Sequence, residues 1–426
     1  ILSGPAASLV GAPWLSETEN ALISDIGGTT TDYAFLRGSR PGIDPEGATV
    51  GGWKTMVEAV AMRTIGLGGD SEVRVVPTGL KSELHLGPKR HIPLSLLALE
   101  SPEIVHGTLD KQLRAPRHDE HFGLFAKAVG RSSAHDSALS DNEKALIEAL
   151  GSSVVPLNQL LASRKNKSAL DRLVGRGLVM ICGATPSDAA HVLGKYKEWD
   201  GEAARKGLAL LARQQTNAGA YVCENAETAA KWIVETLIAT SAETLLAACL
   251  REDGIKDDGV PALLLAQNKI AGGEQTVNIG FDLSLPVVGL GAPASTYYRD
   301  VAERLAAEAI IPPYAHVANA VGAVVGHVRV TLTAEITQPE PGRFQVVAAH
   351  QQGAPGLFGN LDKAIDFASN ILKQEAEARA IQAGAGELSI SEKRTDKTAI
   401  MEGKETLVEC VYQVSASGRP RLAEGP

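Results

Sequence analysis

Two glycines and three consecutive threonines bracketed by aspartates, Asp25-Ile-Gly-Gly-Thr-Thr-Thr-Asp32, constrain this chain more than any other segment. The apolar run Ala21 to Ser24 leads in and Tyr33 to Leu36 leads out, so the segment reads as two strands joined by a Gly-Thr hairpin. Glycines let a turn aim successive N–H groups one way, and hydroxyls add further donors. Gly27, Gly28, Thr29, Thr30 and Thr31 are therefore candidate holders of phosphate oxygens. Asp25 and Asp32 would repel a bare phosphate, a conflict that resolves if water-clad magnesium lies between carboxylate and phosphate, with Asp25 as its carboxylate. The competing reading is a plain hairpin in which threonine favours strand and aspartate caps the turn.

Other glycine clusters point the same way. Gly51-Gly52 and Gly66-Leu-Gly-Gly-Asp-Ser71 read as tight loops, the second offering Gly68 and Gly69. Pro286 to Ser295 reads as an apolar strand, a Gly-x-Gly turn and the start of a helix. Gly289, Gly291, Ala292 and Ser295 there could meet a flat ring or a phosphate. A purely structural strand-to-helix turn is the alternative. Ala315 to Val324 and Ser3 to Ala12 are stretches of small residues, suited to close helix crossing at a hinge or to tight packing.

At 426 residues the chain has length for two or three domains. A formal charge of -9 argues against broad attraction to nucleic acid or anionic lipid. The four cysteines lie far apart, so neither a thiolate zinc site nor a redox dithiol is indicated, and a cytoplasmic setting fits. No apolar run approaches the roughly 18 residues of a membrane span. The chain opens on Ile1 and runs at once into Ser3 to Ala12, which we read as a fragment of a longer polypeptide.

Between Pro77 and Gly194 the histidines at 85, 91, 106, 118, 121 and 135 read as members of solvated loops. His118 and His121 are the close pair that a metal could use. Ser140 and Glu143 have capping-box spacing, so a helix is expected over 141–150, with further short helices over 156–163 and 168–175. The three resemble a winged-helix module. Arg164, Lys165, Lys167, Arg172 and Arg176 form a basic cluster on it, but few side chains there could read bases, so nucleic acid is not an expected partner. Thr185-Pro186 starts a helix that sets Asp188 and His191 on one face, as a catalytic pair or, for Asp188, as a first-turn acid that complements the dipole. Two long helices are expected within 201–252, strands at 262–266 and 286–290, and helices at 293–307 and 313–326. An α+β tail follows, with strands at 328–333, 345–349, 387–393 and 406–414 around a helix at 360–383.

Taken together, Ser3-Gly-Pro-Ala6 with Val10-Gly-Ala12, Asp25 to Asp32, Gly68-Gly-Asp-Ser71, Thr185-Pro-Ser-Asp-Ala189 with Val192-Leu-Gly194, and Ala318-Asn-Ala-Val-Gly-Ala323 resemble the hydantoinase A and 5-oxoprolinase family. That family belongs to the sugar kinase, actin and heat-shock ATPase superfamily. The resemblance implies an α/β fold: a second-half actin-like (ribonuclease H-like) ATPase domain over 1–76 and 177–327, a winged-helix-like insertion over 77–176 and a small C-terminal α+β domain over 328–426. Asp25 to Asp32 would be its second phosphate loop, Gly289 to Ser295 its adenosine-side loop, and Ser3 to Ala12 and His316 to Val325 its connecting helices. It also implies ATP and Mg2+ as cofactors, and an N-terminal half supplying the other phosphate loop, without which turnover would be slight. Asp70 stands where the family usually has glycine. Family members open cyclic amides such as hydantoins or 5-oxoproline, or activate ketones for carboxylation, often with a second subunit. Asp25, Asp32 and Asp188 would be the catalytic carboxylates. A non-catalytic nucleotide-binding or scaffold subunit is the alternative.

Overall fold

The computed structural model describes residues 4–44, 49–50, 53–54, 59–79, 81–129, 139–151, 153–255, 259–260, 281–326, 328–340, 342–348, 356–401 and 404–420. His135, Gly51-Gly52 and the strand expected at 262–266 lie outside the described residues. The chain divides into two compact units, residues 1–320 and 321–426.

The centre of the first unit is a six-stranded sheet. Its order runs Ala309–Ile310, Val287–Leu290, Ala21–Ile26, Thr31–Arg37, Arg40–Pro41, with Arg63–Ile65 also pairing Thr31–Arg37. Ala21–Ile26 is antiparallel to Thr31–Arg37 and parallel to Val287–Leu290, with Asp25 beside Leu290. Alternation along the central strand splits the core in two. Leu22 and Ile26 join a large cluster with the helices of 186–252 and 294–304, while Ala21 and Ile23 pack with Leu9 and Ala12 of the helix Gly4–Ser16. Because both faces are covered, ligand access is left to the strand ends, and the turns after Ile26 and Leu290 emerge at the same end.

A second, four-stranded sheet has the order Ile92–Pro93, Val179–Gly183, Phe125–Ala128, Val154–Pro156. Phe125 and Cys182 pack on one face with Leu94, Leu97 and Leu109; Ala126 and Val179 pack on the other with Leu146, Leu150 and Leu173. Three helices do occur in the expected stretch, but the second is a single turn, Leu157–Leu160, and the third begins at Arg164 rather than 168. The solvated-loop reading of this region needs correcting, since residues 71–90 form a long hairpin. His91 is only 6% exposed, and His106 bonds Asp200 at 2.9 Å. Among the described residues no group of three side chains could hold a metal, and His118 and His121 line different cavities.

The capping box is formed. Glu143 accepts from the Ser140 amide and hydroxyl, both at 2.7 Å, and from Arg172 Nε at 2.9 Å. The Ser140 donors, then Arg172, hold its carboxyl down at about 2 against an ordinary 4.5. A depressed carboxyl stabilises the fold above its ordinary value, and that contribution disappears as pH falls from about 4.5 to about 2. Acid titration followed by circular dichroism should show a loss of stability in that window, and Glu143→Gln should flatten it. An unchanged profile for the variant would show that this carboxylate does not matter to the acid response.

No uninterrupted apolar run of membrane-spanning length occurs in the sequence, but one helix among the described residues has the mean hydropathy for it. The 27-residue helix Ala226–Glu252 is long and apolar enough by length and composition. In this fold half of that stretch is buried, with Ala229, Ile233 and Leu237 in the large core cluster. The helix expected over 293–307 is shorter, Ala294–Arg304, and the one expected over 313–326 resolves into a 3-10 turn, Ala315–Val317, and a helix Ala318–Val325.

The second unit is an antiparallel sheet in the order Gly356–Phe358, Arg343–Ala348, Val328–Glu340, Lys404–Pro420, Ala385–Met401. The helix Leu361–Gln382 lies on it through Ala364, Ala368, Leu372, Ala376 and Ala380, a stripe at i, i+4 spacing.

Candidate functional site

At the shared strand end, the Asp25–Asp32 segment closes as a hairpin. Asp25 pairs with Asp32 and Ile26 with Thr31, and the Gly27 amide donates to Thr30 O at 2.8 Å. A second loop then buttresses the turn: the Gly69 and Asp70 amides donate to Gly27 O and Gly28 O at 3.0 and 2.7 Å. The Gly27, Gly28 and Thr30 carbonyls are thereby occupied. The amides of Gly28, Thr29 and Thr30 donate to nothing among the described residues, which leaves a row of free donors at the head of the hairpin.

Directly opposed residues of an antiparallel pair project to the same face, so the two carboxylates share one side of the sheet. Burial raises the Asp25 carboxyl above its usual range, the Ser8 hydroxyl draws it back and the Asp32 charge raises it further. Burial likewise raises Asp32, against a hydrogen bond from the Thr64 hydroxyl. A divalent ion would relieve the repulsion between Asp25 and Asp32. With no protein cluster of three ligands among the described residues, such an ion at Asp25 would draw its remaining ligands from water and phosphate oxygens.

The turn after Leu290 completes the end. Gly291 sits at φ +92° and donates to Ala315 O at 2.9 Å; a Cβ there would lie 2.0 Å from Ile26 O and 2.7 Å from Asp25 Oδ1. This approach brings Ala292 beside the hairpin turn. A cavity of about 500 Å3 opens between them, lined by Asp25, Gly27, Gly28, Thr30, Asp32, Gly291 and Ala292 among the residues expected from sequence.

Other expected residues are placed differently. Thr31 is buried, and its hydroxyl donates to Leu67 O at 2.6 Å. Gly68 and Gly69 lie behind the turn, and a Cβ on Gly68 would strike Gly27 O at 2.5 Å. Gly289 packs against Tyr298, and Ser295 is exposed outside the cavity, whose lining also omits Thr29. Asp188 is fully buried and accepts from Leu94 N, Ser95 N and Oγ, and Thr185 N and Oγ1 at 2.6–3.1 Å. Burial raises its carboxyl against those hydrogen bonds, and its geometry is that of a residue joining two helix starts. His191 is not bonded to it. Its Nδ1 donates to Ser187 O at 2.7 Å and its Nε2 accepts the Trp199 amide at 3.1 Å, which fixes the tautomer.

Sequence reasoning missed several lining residues. Ser8 faces Asp25 from the first helix. Arg90 donates to Asp70 Oδ2 through Nε and Nη2 at 3.3 and 3.0 Å, and Asp70 also accepts from Ser187 Oγ at 3.3 Å. Tyr196 and Trp199 form an aromatic wall, edge to face at 5.3 Å, with the His191 ring stacked on the indole. Such a wall suits a planar guest. His316 and Asn319 complete the far side. Tryptophan is rare in this chain, with only 4 residues, so Trp199 carried some signal; Arg90 carried none.

Comparisons with known proteins agree with the motifs over the part that holds this hairpin. Residues 1–93 match the Hydantoinase/oxoprolinase family model. No curated protein matches the chain. Among solved structures it is similar to nucleotide-free acetone carboxylase, described with ATP-dependent acetone carboxylation, at 14% identity and a TM-score of 0.47, covering 100% of this chain and 51% of that one. It is also similar to ATP-dependent caprolactamase from Pseudomonas jessenii, at 14% identity and a TM-score of 0.46, covering 100% of this chain and 50% of that one. The chain thus spans about half the length of these two enzymes.

Proposed function

We propose, from the family match over residues 1–93 and the geometry of the hairpin, that this chain carries the nucleotide-holding part of an ATP-dependent enzyme that opens a cyclic amide. The observation that carries this reading is the row of unpaired amides at Gly28, Thr29 and Thr30 beside two opposed carboxylates, at the exit of parallel strands.

A lactam carbonyl is a poor electrophile at neutral pH, and phosphorylation corrects that. The carbonyl oxygen attacks the terminal phosphorus of ATP, the bond from that phosphorus to the bridging oxygen breaks, and its electron pair leaves with ADP. Water then adds to the activated carbon and gives up a proton. The C–N bond breaks with its pair on nitrogen, which takes up a proton, and a second water releases phosphate from the resulting acyl phosphate. The residues contribute position and charge compensation. The Gly28 and Thr30 amides and the Thr30 hydroxyl would meet phosphate oxygens, Arg90 offers a cation at the cavity edge, and Tyr196 and Trp199 provide a surface for a flat ring. Asp25 and Asp32 would hold Mg2+ through water; the ion would supply neutralisation of phosphate charge.

A non-catalytic nucleotide-binding subunit is the second reading, favoured by the absence of lysine and cysteine from the lining among the described residues. Because the chain spans about half the length of the similar enzymes, the decisive test reads binding rather than turnover. Titration calorimetry should show saturable ATP binding that strengthens with Mg2+, and Gly28→Leu, which would drive a side chain into the Asp70 carboxylate only 2.6 Å from the Cβ position, should weaken it by at least about tenfold. No binding at millimolar ATP would overturn both readings.

A further inference from the structure

We propose that a cavity of about 560 Å3, apart from the strand-end site, binds a small phosphate monoester as its dianion. It opens where the helices Pro102–Arg114 and Gly201–Ala212 come to their ends, beside the turn that the Gln215–Tyr221 bridge closes. Arg213, the residue after the second helix, ties the two ends together by donating through Nη1 to Leu113 O in the last turn of the first. None of the lining residues borders the first cavity, so this inference stands apart from the nucleotide reading.

Charge defines the guest. In a chain of net charge -9, Arg114, Arg117 and Arg213 line this cavity, and no carboxylate does among the described residues. None of the three has an ion-pair partner among those residues. The flanking acids are engaged outside the lining: Asp110 pairs with Lys206 at 2.8 Å, and Asp119 accepts the His121 amide at 2.8 Å. Part of the positive charge has a structural use, because a helix C-terminus carries roughly half a negative charge. Two such ends offset about one of the three cations and leave about two. Burial holds His118 below its ordinary value, against the Asp119 charge and with the help of Arg213, so it adds no charge at neutral pH. Three guanidinium groups around one space repel each other until an anion enters, and a phosphate monoester brings nearly two charges and three acceptor oxygens suited to their forks. Leu113, Pro116 and the ring of Tyr221, which is 63% exposed, give the body of the ester a surface.

Ligand-observed NMR titration of the whole chain with phenyl phosphate and with benzenesulfonate, the same ring bearing one charge instead of two, tests this. It is run above pH 7 at low salt and without Mg2+, so that Asp25 and Asp32 disfavour the phosphate at the hairpin turn. Phenyl phosphate should bind at least about tenfold more tightly than the sulfonate. Arg114→Gln combined with Arg117→Gln should weaken it by about tenfold or more, while Gly28→Leu should leave it within about twofold. Should circular dichroism show the double variant unfolded, Arg117→Gln alone, in the loop after the first helix, serves for the same measurement. Equal affinity for the two anions, or phosphate affinity indifferent to a folded arginine variant, would overturn the assignment. Loss of phosphate binding in folded Gly28→Leu would place the phosphate at the hairpin turn and overturn it likewise.

Discussion

Asp25→Asn should make the nucleotide-free protein more stable while weakening Mg2+-ATP binding by at least about tenfold. Both effects come from the same buried carboxylate. Its folded pKa is raised, first by burial and also by Asp32, so the ionised form is held at a cost that the unfolded chain does not bear. The sign follows from linkage. A raised carboxyl binds its proton more tightly in the fold, so its contribution is most favourable below the ordinary 3.8 and declines as pH rises through the folded value, leaving the full cost at pH 7. Asparagine keeps an acceptor for Ser8 and removes the charge. The gain grows with the tightening of proton binding in the fold, each tenfold of it being worth about 1.4 kcal/mol. Differential scanning fluorimetry from pH 5 to 8, with and without Mg2+-ATP, checks it. A variant that melts lower than the parent and binds ATP equally well would mean that Asp25 is a structural acceptor with no part in holding nucleotide. A stability gain with unimpaired binding would keep the electrostatic argument but move the metal to Asp32.

The hairpin was legible because a two-residue period and a glycine pair are local signals. Ala21 to Leu36 needs nothing beyond its own sequence to announce two strands and a turn. What made it a site was not local. The Gly291 turn arrives from a strand more than 260 residues further on, and only the parallel pairing of Leu22–Asp25 with Val287–Leu290 sets the two turns side by side. Asp188 misled for the same reason. Its first-turn position was correctly seen, but its Leu94 and Ser95 donors lie over ninety residues away, so a satisfied internal acceptor looked like an available acid. Arg90 ends a strand of the 71–90 hairpin in a sequence with no motif, and its meaning comes from Asp70 across the ladder. Three strands of the second unit run longer than the alternation in their sequence indicates. Ala385–Met401 runs on through Arg394, Asp396 and Lys397, whose charges are met by one another and by Glu409 on the adjacent strand.

The convergence of the two turns has its own test in glycine, and the expected effect is the largest in the molecule. Gly291→Ala should cost on the order of 3 kcal/mol or more of unfolding free energy, and ATP binding should disappear with the site's geometry. Two penalties combine. At φ +92° any side chain is strained, and the new Cβ would fall 2.0 Å from Ile26 O and 2.7 Å from Asp25 Oδ1. The first of these is a backbone carbonyl within the central strand, which cannot turn aside as the end of a flexible side chain could. Gly219→Ala separates the penalties. Gly219 has φ +79° but nothing within 4 Å of its Cβ position, so that variant reports the backbone strain alone, about 1 kcal/mol. Urea denaturation of both variants gives the comparison directly. If Gly291→Ala loses no more than Gly219→Ala, the two turns do not touch. The Gly28–Thr30 amides and the Ala292 loop would then not border one cavity, and the anion seat at the strand ends would have no second wall.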